Sequence, residues 1–294
     1  MTINASAPDS NVGEVTYNAR HTLTVPTEFI RQVRRKRTLI AFILVIALPI
    51  IVVAAVKFGP SGNGGGGFGD GDLDLVGLAT FGAWNFTLTM LFFGSGFLFT
   101  ILAAMFLGDT VASEASWSTM RYLLAAPVPR RRLLRAKIVV GLLLTFLVMV
   151  TLIVTSFIIG LIAFGSQNLN SPLSGTFTTA ESLQRLAVIS LYITITLLVP
   201  AGIAFLLSVS TDVPLGAVGG AVVIVIVANI LDAIEALGDL RRLLPTDYGG
   251  SWIDALGSTI VWDDMAIGAA YNISVFAILI GVAIVKFDRK NILS

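Results

Sequence analysis

Residues Thr38–Val56 read TLIAFILVIALPIIVVAAV, 19 positions without one charged side chain. A helix crossing the roughly 30 Å hydrocarbon core of a bilayer needs about 20 mainly apolar residues, because no water is there to satisfy an open backbone. Directly before this run stands the basic cluster Arg31, Arg34, Arg35, Lys36 and Arg37. A cleavable secretory signal would carry an apolar core of about 7–15 residues nearer the start, followed by a small-residue cleavage site. Thr38–Val56 is longer, comes after a polar opening of 37 residues and leads into GPSGNGGGG, so it reads as a retained span.

The same pattern recurs at Phe81–Leu107, Ile138–Phe164, Leu186–Val209, Leu215–Leu231 and Ala266–Val285. Only 13% of the 294 residues are charged and 55% are hydrophobic, against about 25% charged in an ordinary soluble domain. These runs predict an all-α integral membrane protein, a bundle of six transmembrane helices. Residues 1–37 form an N-terminal tail, 38–286 the six-span domain and 287–294 a C-terminal tail. Pro49 and Pro200 each remove a backbone hydrogen bond inside a run and are expected to bend it.

Six spans place both termini on one side, and the cations test which side. The N-terminal tail, the Gly108–Lys137 loop and the chain from Lys286 onwards hold 15 of the 19 lysines and arginines. Loops rich in Lys and Arg stay inside, so both termini are expected in the cytoplasm and the chain in the cell (plasma) membrane. The opposite segments hold Lys57, Arg185, Arg241 and Arg242 among many aspartates.

Outside the runs, Val25, Phe29, Ile30 and Val33 recur at roughly helical spacing among basic residues, with Pro26 suited to a first helical turn. Two readings fit: an amphipathic elbow helix lying on the inner leaflet, or a plain basic flank held by anionic lipid. Between Gly59 and Gly71, GPSGNGGGGFGDG is a flexible polar linker. It lacks the G-K-[ST] ending with which a Walker A loop holds phosphate and magnesium. Asp232–Asp264 mixes carboxylates with Trp252 and Trp262, which predicts a short hairpin at the outer interface with the tryptophans at headgroup level.

Catalytic chemistry finds little support. There is no cysteine, which excludes thiolate catalysis and cysteine-ligated metal sites, and a single histidine, His21, in the polar tail, which gives little support to imidazole acid/base chemistry or a His-rich metal site. The six apolar cores hold essentially no ionisable residue, and an intramembrane enzyme or ion-coupled pump would need convergent ones. Neither a catalytic site nor a metal site is expected, and the near-neutral total charge gives no ground for a nucleic-acid partner. Among the mildly polar residues inside the runs, Asn85, Thr89, Thr196, Asn229 and Asn272 are candidates for a substrate path, with helix packing as the competing reading.

The loop from Gly108 to Lys137 reads GDTVASEASWSTMRYLLAAPVPRRRLLRAK. Val111, Trp117, Met120, Leu123 and Leu124 form a partial helical stripe, with Asp109 placed to cap its start. Arg130, Arg131 and Arg132 read as lipid anchors. Asp109, Glu114, Thr119, Leu123, Leu124, Pro127, Arg130 and Lys137 fall in the order found in the cytoplasmic loop of type 2 ATP-binding-cassette exporter permeases, with Ser118 where glycine is common. The chain resembles that family over nearly its whole length, including the ending FDRKN at Phe287–Asn291.

The resemblance implies a cytoplasmic coupling helix and a docking surface made by Asp109, Glu114, Trp117, Thr119, Arg121, Pro127, Arg130 and Lys137. It implies two further protein partners besides membrane lipid: a cytoplasmic ATPase subunit that binds ATP and Mg, and a second permease half. This chain itself would bind no cofactor. The expected function is a permease that moves substrate outward. A channel or scaffold without ATP, and a membrane-bound enzyme, are the alternatives that the residues leave open.

Overall fold

The computed structural model describes residues 24–58, 75–116, 130–171 and 173–289. The Gly-rich linker, residues 117–129 of the Gly108–Lys137 loop and the last residues of the C-terminal tail lie outside them. A short helix α1 (Val25–Val33) precedes α2 (Lys36–Phe58) and α3 (Leu75–Thr80). Then α4 (Ala83–Phe93) passes through a π-helical turn at Gly94–Leu98 into α5 (Phe99–Ser116). The long α6 (Arg130–Phe164) ends at a two-strand antiparallel hairpin, β1 (Asn170–Ser171) with β2 (Gly175–Thr176). Helices α7 (Thr179–Thr196), α8 (Leu198–Ser210) and α9 (Pro214–Asp232) follow. Two 3₁₀ segments, Glu235–Leu243 and Asp247–Leu256, lead into α10 (Asp263–Arg289).

Among the described residues, six helical stretches are long and apolar enough to cross a membrane: α2, α4–α5, α6, α7–α8, α9 and α10. The protein is thus a multi-pass, all-helical membrane bundle. The second, third and fourth spans are 44–56% buried and form its centre, whereas α2, α9 and α10 are 17% buried and lie around it. At the centre, α5 packs most extensively on α8. Small residues allow this: Ala104, Ala204 and Ala221 form a fully buried cluster where α5, α8 and α9 meet. A Cβ added at Gly108 would stand 3.0 Å from Val218 and 3.3 Å from Ala204. At Gly141 it would stand 2.6 Å from the Leu107 side chain, so α6 also approaches α5 without room for a methyl group. In hydrocarbon, where burying apolar surface gives no gain over lipid, such backbone approach supplies the dispersion that holds helices together.

Several expected boundaries move. The spans run further than their apolar cores, and α6 starts at Arg130, so Lys137 lies inside a helix. Asp109 does not start a new helix: α5 passes through it without a break to Ser116. No proline stands between Leu107 and Ser116, and the Asp109 carboxylate is engaged by Arg35 and Arg37 instead of by its own backbone. The fourth span is interrupted at Leu197 between α7 and α8. There Pro200 offers no N–H to Thr196, one turn back, and its ring crowds that carbonyl. Pro49, in contrast, sits within an uninterrupted α2.

At the end where α6 stops and α7 starts, the 3₁₀ segments fold back as a cap instead of standing as a simple interfacial hairpin. Trp252 is buried, edge-on to Phe92 with ring centroids 5.9 Å apart, while Trp262 is exposed. The aromatic surface of Trp252 thus finds the apolar contact inside the fold that a headgroup position would have given it. Arg185 holds the cap. It is buried, lies over the Phe177 ring at 3.8 Å, and donates to the carbonyls of Ala255, Gly257 (2.7 Å) and Ser258 (3.1 Å). Tyr192 Oη donates to Tyr248 O at 2.6 Å, and the hydroxyls of Ser171 and Ser174 both donate to Leu256 O.

Hydrogen bonds from a charged donor are each worth about 1.5–3 kcal/mol. Arg185→Leu strands three carbonyls at once and should lower stability by at least about 3 kcal/mol, read as the thermal midpoint in detergent. A loss below about 0.5 kcal/mol would mean that apolar contacts alone hold the cap.

Candidate functional site

At the opposite end of the bundle, α1 lies against α6 and α2, and its polar residues point inward. Glu28 is 1% exposed and Gln32 is buried one turn away, donating from Nε2 to Glu28 Oε1 at 2.9 Å. The sequence places them so: Glu28, Arg31 and Gln32 stand three and four apart, the spacing that puts side chains on one helical face. Thr38 at the start of α2 donates to Gln32 O at 2.8 Å and fixes the bend between the two helices.

Lys137 of α6 is the centre of the cluster. None of its side chain is exposed, and its ammonium donates to Glu114 Oε1 at 2.7 Å and to Thr110 O at 2.9 Å. Glu28 Oε1 lies 3.5 Å away. Arg31 bridges the same two carboxylates, contacting Glu28 Oε2 at 2.5 Å and Glu114 Oε1. One turn towards the membrane, Arg35 reaches Asp109 Oδ2 at 2.8 Å, and Arg37 shares that oxygen. Three buried carboxylates and four cations, the buried Lys137 and three partly exposed arginines, thus gather in two adjoining groups, one around Lys137 and one around Asp109.

Burial alone would push the Glu28 carboxyl up, but Lys137, Arg31 and the hydrogen bond from Gln32 outweigh it and hold the group below its ordinary 4.5. Arg31 is raised despite its burial, because Glu28 and Glu114 both face it. Arg35 is lowered, first by burial and then by the neighbouring Arg37. Every acid here is neutralised by cations, and among the described residues no group of His, Cys, Asp and Glu could hold a metal ion. The arrangement has the chemistry of a joint. It fixes α1 to the ends of α5 and α6 that border residues 117–129.

Of the coupling residues expected from sequence, Asp109, Glu114 and Lys137 come together here. Trp117, Thr119, Arg121 and Pro127 lie outside the described residues, and Arg130 begins α6. Glu28, Arg31, Arg35 and Arg37 were not among the expected site residues. Their signal was available in Glu28, the one acid of the basic segment 20–37. Three cations of the basic flank, Arg31, Arg35 and Arg37, are therefore bound to protein carboxylates, and Arg131, expected to face lipid, lies 3.1 Å from Asp288.

The five candidate path residues are spread over four helices. Asn85 clasps β1, accepting from Asn170 N at 2.9 Å and donating to Asn170 O at 2.7 Å. Thr89 donates to Asn85 O, Thr196 to Ile193 O, and the exposed Asn229 to Val225 O. Asn272 is buried; its Nδ2 donates to Gly268 O at 2.7 Å while its Oδ1 has no partner among the described residues.

Removing one partner of a buried pair leaves an uncompensated charge, at a cost of about 3–5 kcal/mol. Lys137→Met should cost this much in detergent unfolding, and adding Glu114→Gln should restore a large part of it; no restoration would show that the two do not act as a pair. Because the Glu28 pKa lies lower in the folded state than the ordinary 4.5, its contribution is present above pH 4.5 and is lost as pH falls through the folded value. The thermal midpoint should therefore drop on acidification below pH 4.5, and Glu28→Gln should flatten that drop. An unchanged acid limb in the variant would remove Glu28 from the network.

The description "ABC-2 family transporter protein" belongs to the family profile that matches residues 24–228, more than two thirds of the chain, from the start of α1 into α9. No curated protein matches the chain. The matched region contains all the charged residues gathered around Lys137 and Asp109, four of the six spans and most of the fifth. The chain belongs to the ABC-2 transporter family and is a membrane permease component of an ABC transporter.

Proposed function

We propose that this chain is the permease subunit of an exporter driven by ATP hydrolysis in a separate cytoplasmic subunit, which binds ATP and Mg. The buried network around Lys137 is the observation that carries the reading. It ties α5 and α6, the two helices that flank residues 117–129, to each other and to α1. A push on that loop would then move two central spans and one amphipathic helix as a unit, which is what a mechanical link to an external ATPase requires. The coupling surface is assigned to Asp109, Glu114, Trp117, Thr119, Arg121, Pro127, Arg130 and Lys137. The first two and Lys137 act as the joint, and the others supply contact with the ATPase.

Both termini and this end of the bundle are assigned to the cytoplasm and the chain to the plasma membrane, in keeping with 15 of 19 cations lying in the N-terminal tail, the Gly108–Lys137 loop and the chain from Lys286 onwards. A second permease half completes the pathway beside the sparsely buried outer spans. Asn85, Thr89, Thr196, Asn229 and Asn272 are assigned to the substrate path. Asn272 supports this best, since a buried carbonyl oxygen without a partner is costly at membrane depth. Asn85 supports it least, because its amide is committed to Asn170.

Affinity isolation of the chain from its native membrane in mild detergent tests the reading. A nucleotide-hydrolysing subunit should co-purify, crosslink to Ser116→Cys and carry all ATPase activity. In intact cells, Ser258→Cys should react with a membrane-impermeant maleimide and Ser116→Cys should react only after permeabilisation. Hydrolysis by the isolated, verified chain would overturn the division of labour, and the reverse labelling pattern would overturn the sidedness.

A further inference from the structure

At the charged end of the bundle an apolar groove of about 800 Å³ opens between the end of α8 and the last turns of α10. Val209 closes it on the α8 side. Along α10 its wall is the stripe Ile278, Gly281, Val282 and Val285, continued by Lys286 and Arg289 at the mouth. Ile278, Val282 and Val285 are each at least half exposed. From Ile278 to Arg289 the stripe rises about 16 Å at the helical rise per residue, which is the depth of one leaflet of a roughly 30 Å hydrocarbon core. The groove thus has the length of one acyl chain, and its cations sit where a headgroup would.

The charges at the mouth favour an anion. Among the described residues neither Lys286 nor Arg289 forms an ion pair, and Asp288, the carboxylate between them, is engaged by Arg131 at 3.1 Å. Among the described residues no carboxylate lines the groove. A second copy of the chain packed here about a two-fold axis would bring four cations together without an acid of the groove to offset them, which disfavours that occupant. A phospholipid with a negative headgroup satisfies both halves, since each interfacial cation is worth about 1 kcal/mol towards an anionic lipid surface.

We propose that this groove binds one anionic phospholipid of the adjoining leaflet, with an acyl chain along Ile278–Val285 and the phosphate between Lys286 and Arg289. Gly281 is the floor of the site. A Cβ built there meets no atom within 4 Å, so a larger side chain at this position fills the groove without disturbing the fold.

The purified full-length chain, reconstituted in vesicles of equal parts phosphatidylcholine and phosphatidylglycerol, tests the site. The vesicles carry either a phosphatidylglycerol or a phosphatidylcholine probe with a photoreactive diazirine in mid-chain, and labelled peptides are mapped by mass spectrometry. The phosphatidylglycerol probe should label Ile278–Val285 roughly thirtyfold more than the phosphatidylcholine probe. Lys286→Gln with Arg289→Gln should abolish that preference, either change alone should reduce it about fivefold, and Gly281→Leu should remove labelling of the stripe by both probes. Equal labelling by the two probes would mean ordinary annular lipid. A preference that survives the double substitution, or an efficient disulfide between two copies at Val282→Cys, would likewise overturn the proposal.

Discussion

An ammonium group with none of its side chain in contact with solvent is tolerable only where opposite charge and acceptor oxygens replace the water it has lost. Lys137 meets that condition through Glu114, Thr110 O and Glu28, and much of the charged end follows from it. The ammonium draws α6 to α5 through Glu114 and to α1 through Glu28. Arg31 must then lie between the two carboxylates, and Arg35 and Arg37 turn to Asp109 one level deeper. Helix α1 is consequently locked by buried polar contacts instead of floating on lipid. Its exposed apolar residues Ile30 and Val33 turn away from Glu28 and Gln32, free to meet the bilayer surface.

The two ends of the bundle use the same device with different partners. At the charged end cations meet carboxylates. At the other end Arg185 meets backbone carbonyls of the 3₁₀ cap, which an irregular segment leaves open where a regular helix would have used them. Between them the spans carry small residues and hydroxyls bonded to their own helices, such as Thr87, Thr145 and Ser190. The middle of the bundle is therefore held by close packing and its ends by charge, so the strong, specific contacts lie outside the hydrocarbon centre where helices in a transporter must shift against each other.

Much of this architecture is legible in the sequence, because the period and length of apolar runs are local properties. Six spans, the amphipathic stretch at Val25–Val33 and the asymmetry of the cations need no knowledge of contacts. What the sequence does not give is which charges face inward. Glu28 and Lys137 are 109 residues apart, and nothing local distinguishes Lys137 from the arginines just before it. The Asp109 cap was misread for the same reason, since an aspartate after an apolar run suits a helix start equally well as a tertiary ion pair. Trp252 likewise looks like a headgroup anchor until Phe92, distant in sequence, is found against it. The family resemblance picked out Asp109, Glu114 and Lys137 but not the α1 residues that complete their network, because charge reversal along an amphipathic helix carries meaning only once its neighbours are known.

The central claim is that Glu28 and Lys137 join α1 to α6 through a net favourable interaction, and a double-mutant cycle on Glu28→Gln and Lys137→Met measures it directly. Unfolding free energies of the four proteins in one detergent give the coupling. The structure predicts a coupling of about 1–3 kcal/mol, the range of residues within one buried ion network. A coupling within about 0.5 kcal/mol of zero would contradict it, leaving α1 held by its apolar contacts alone.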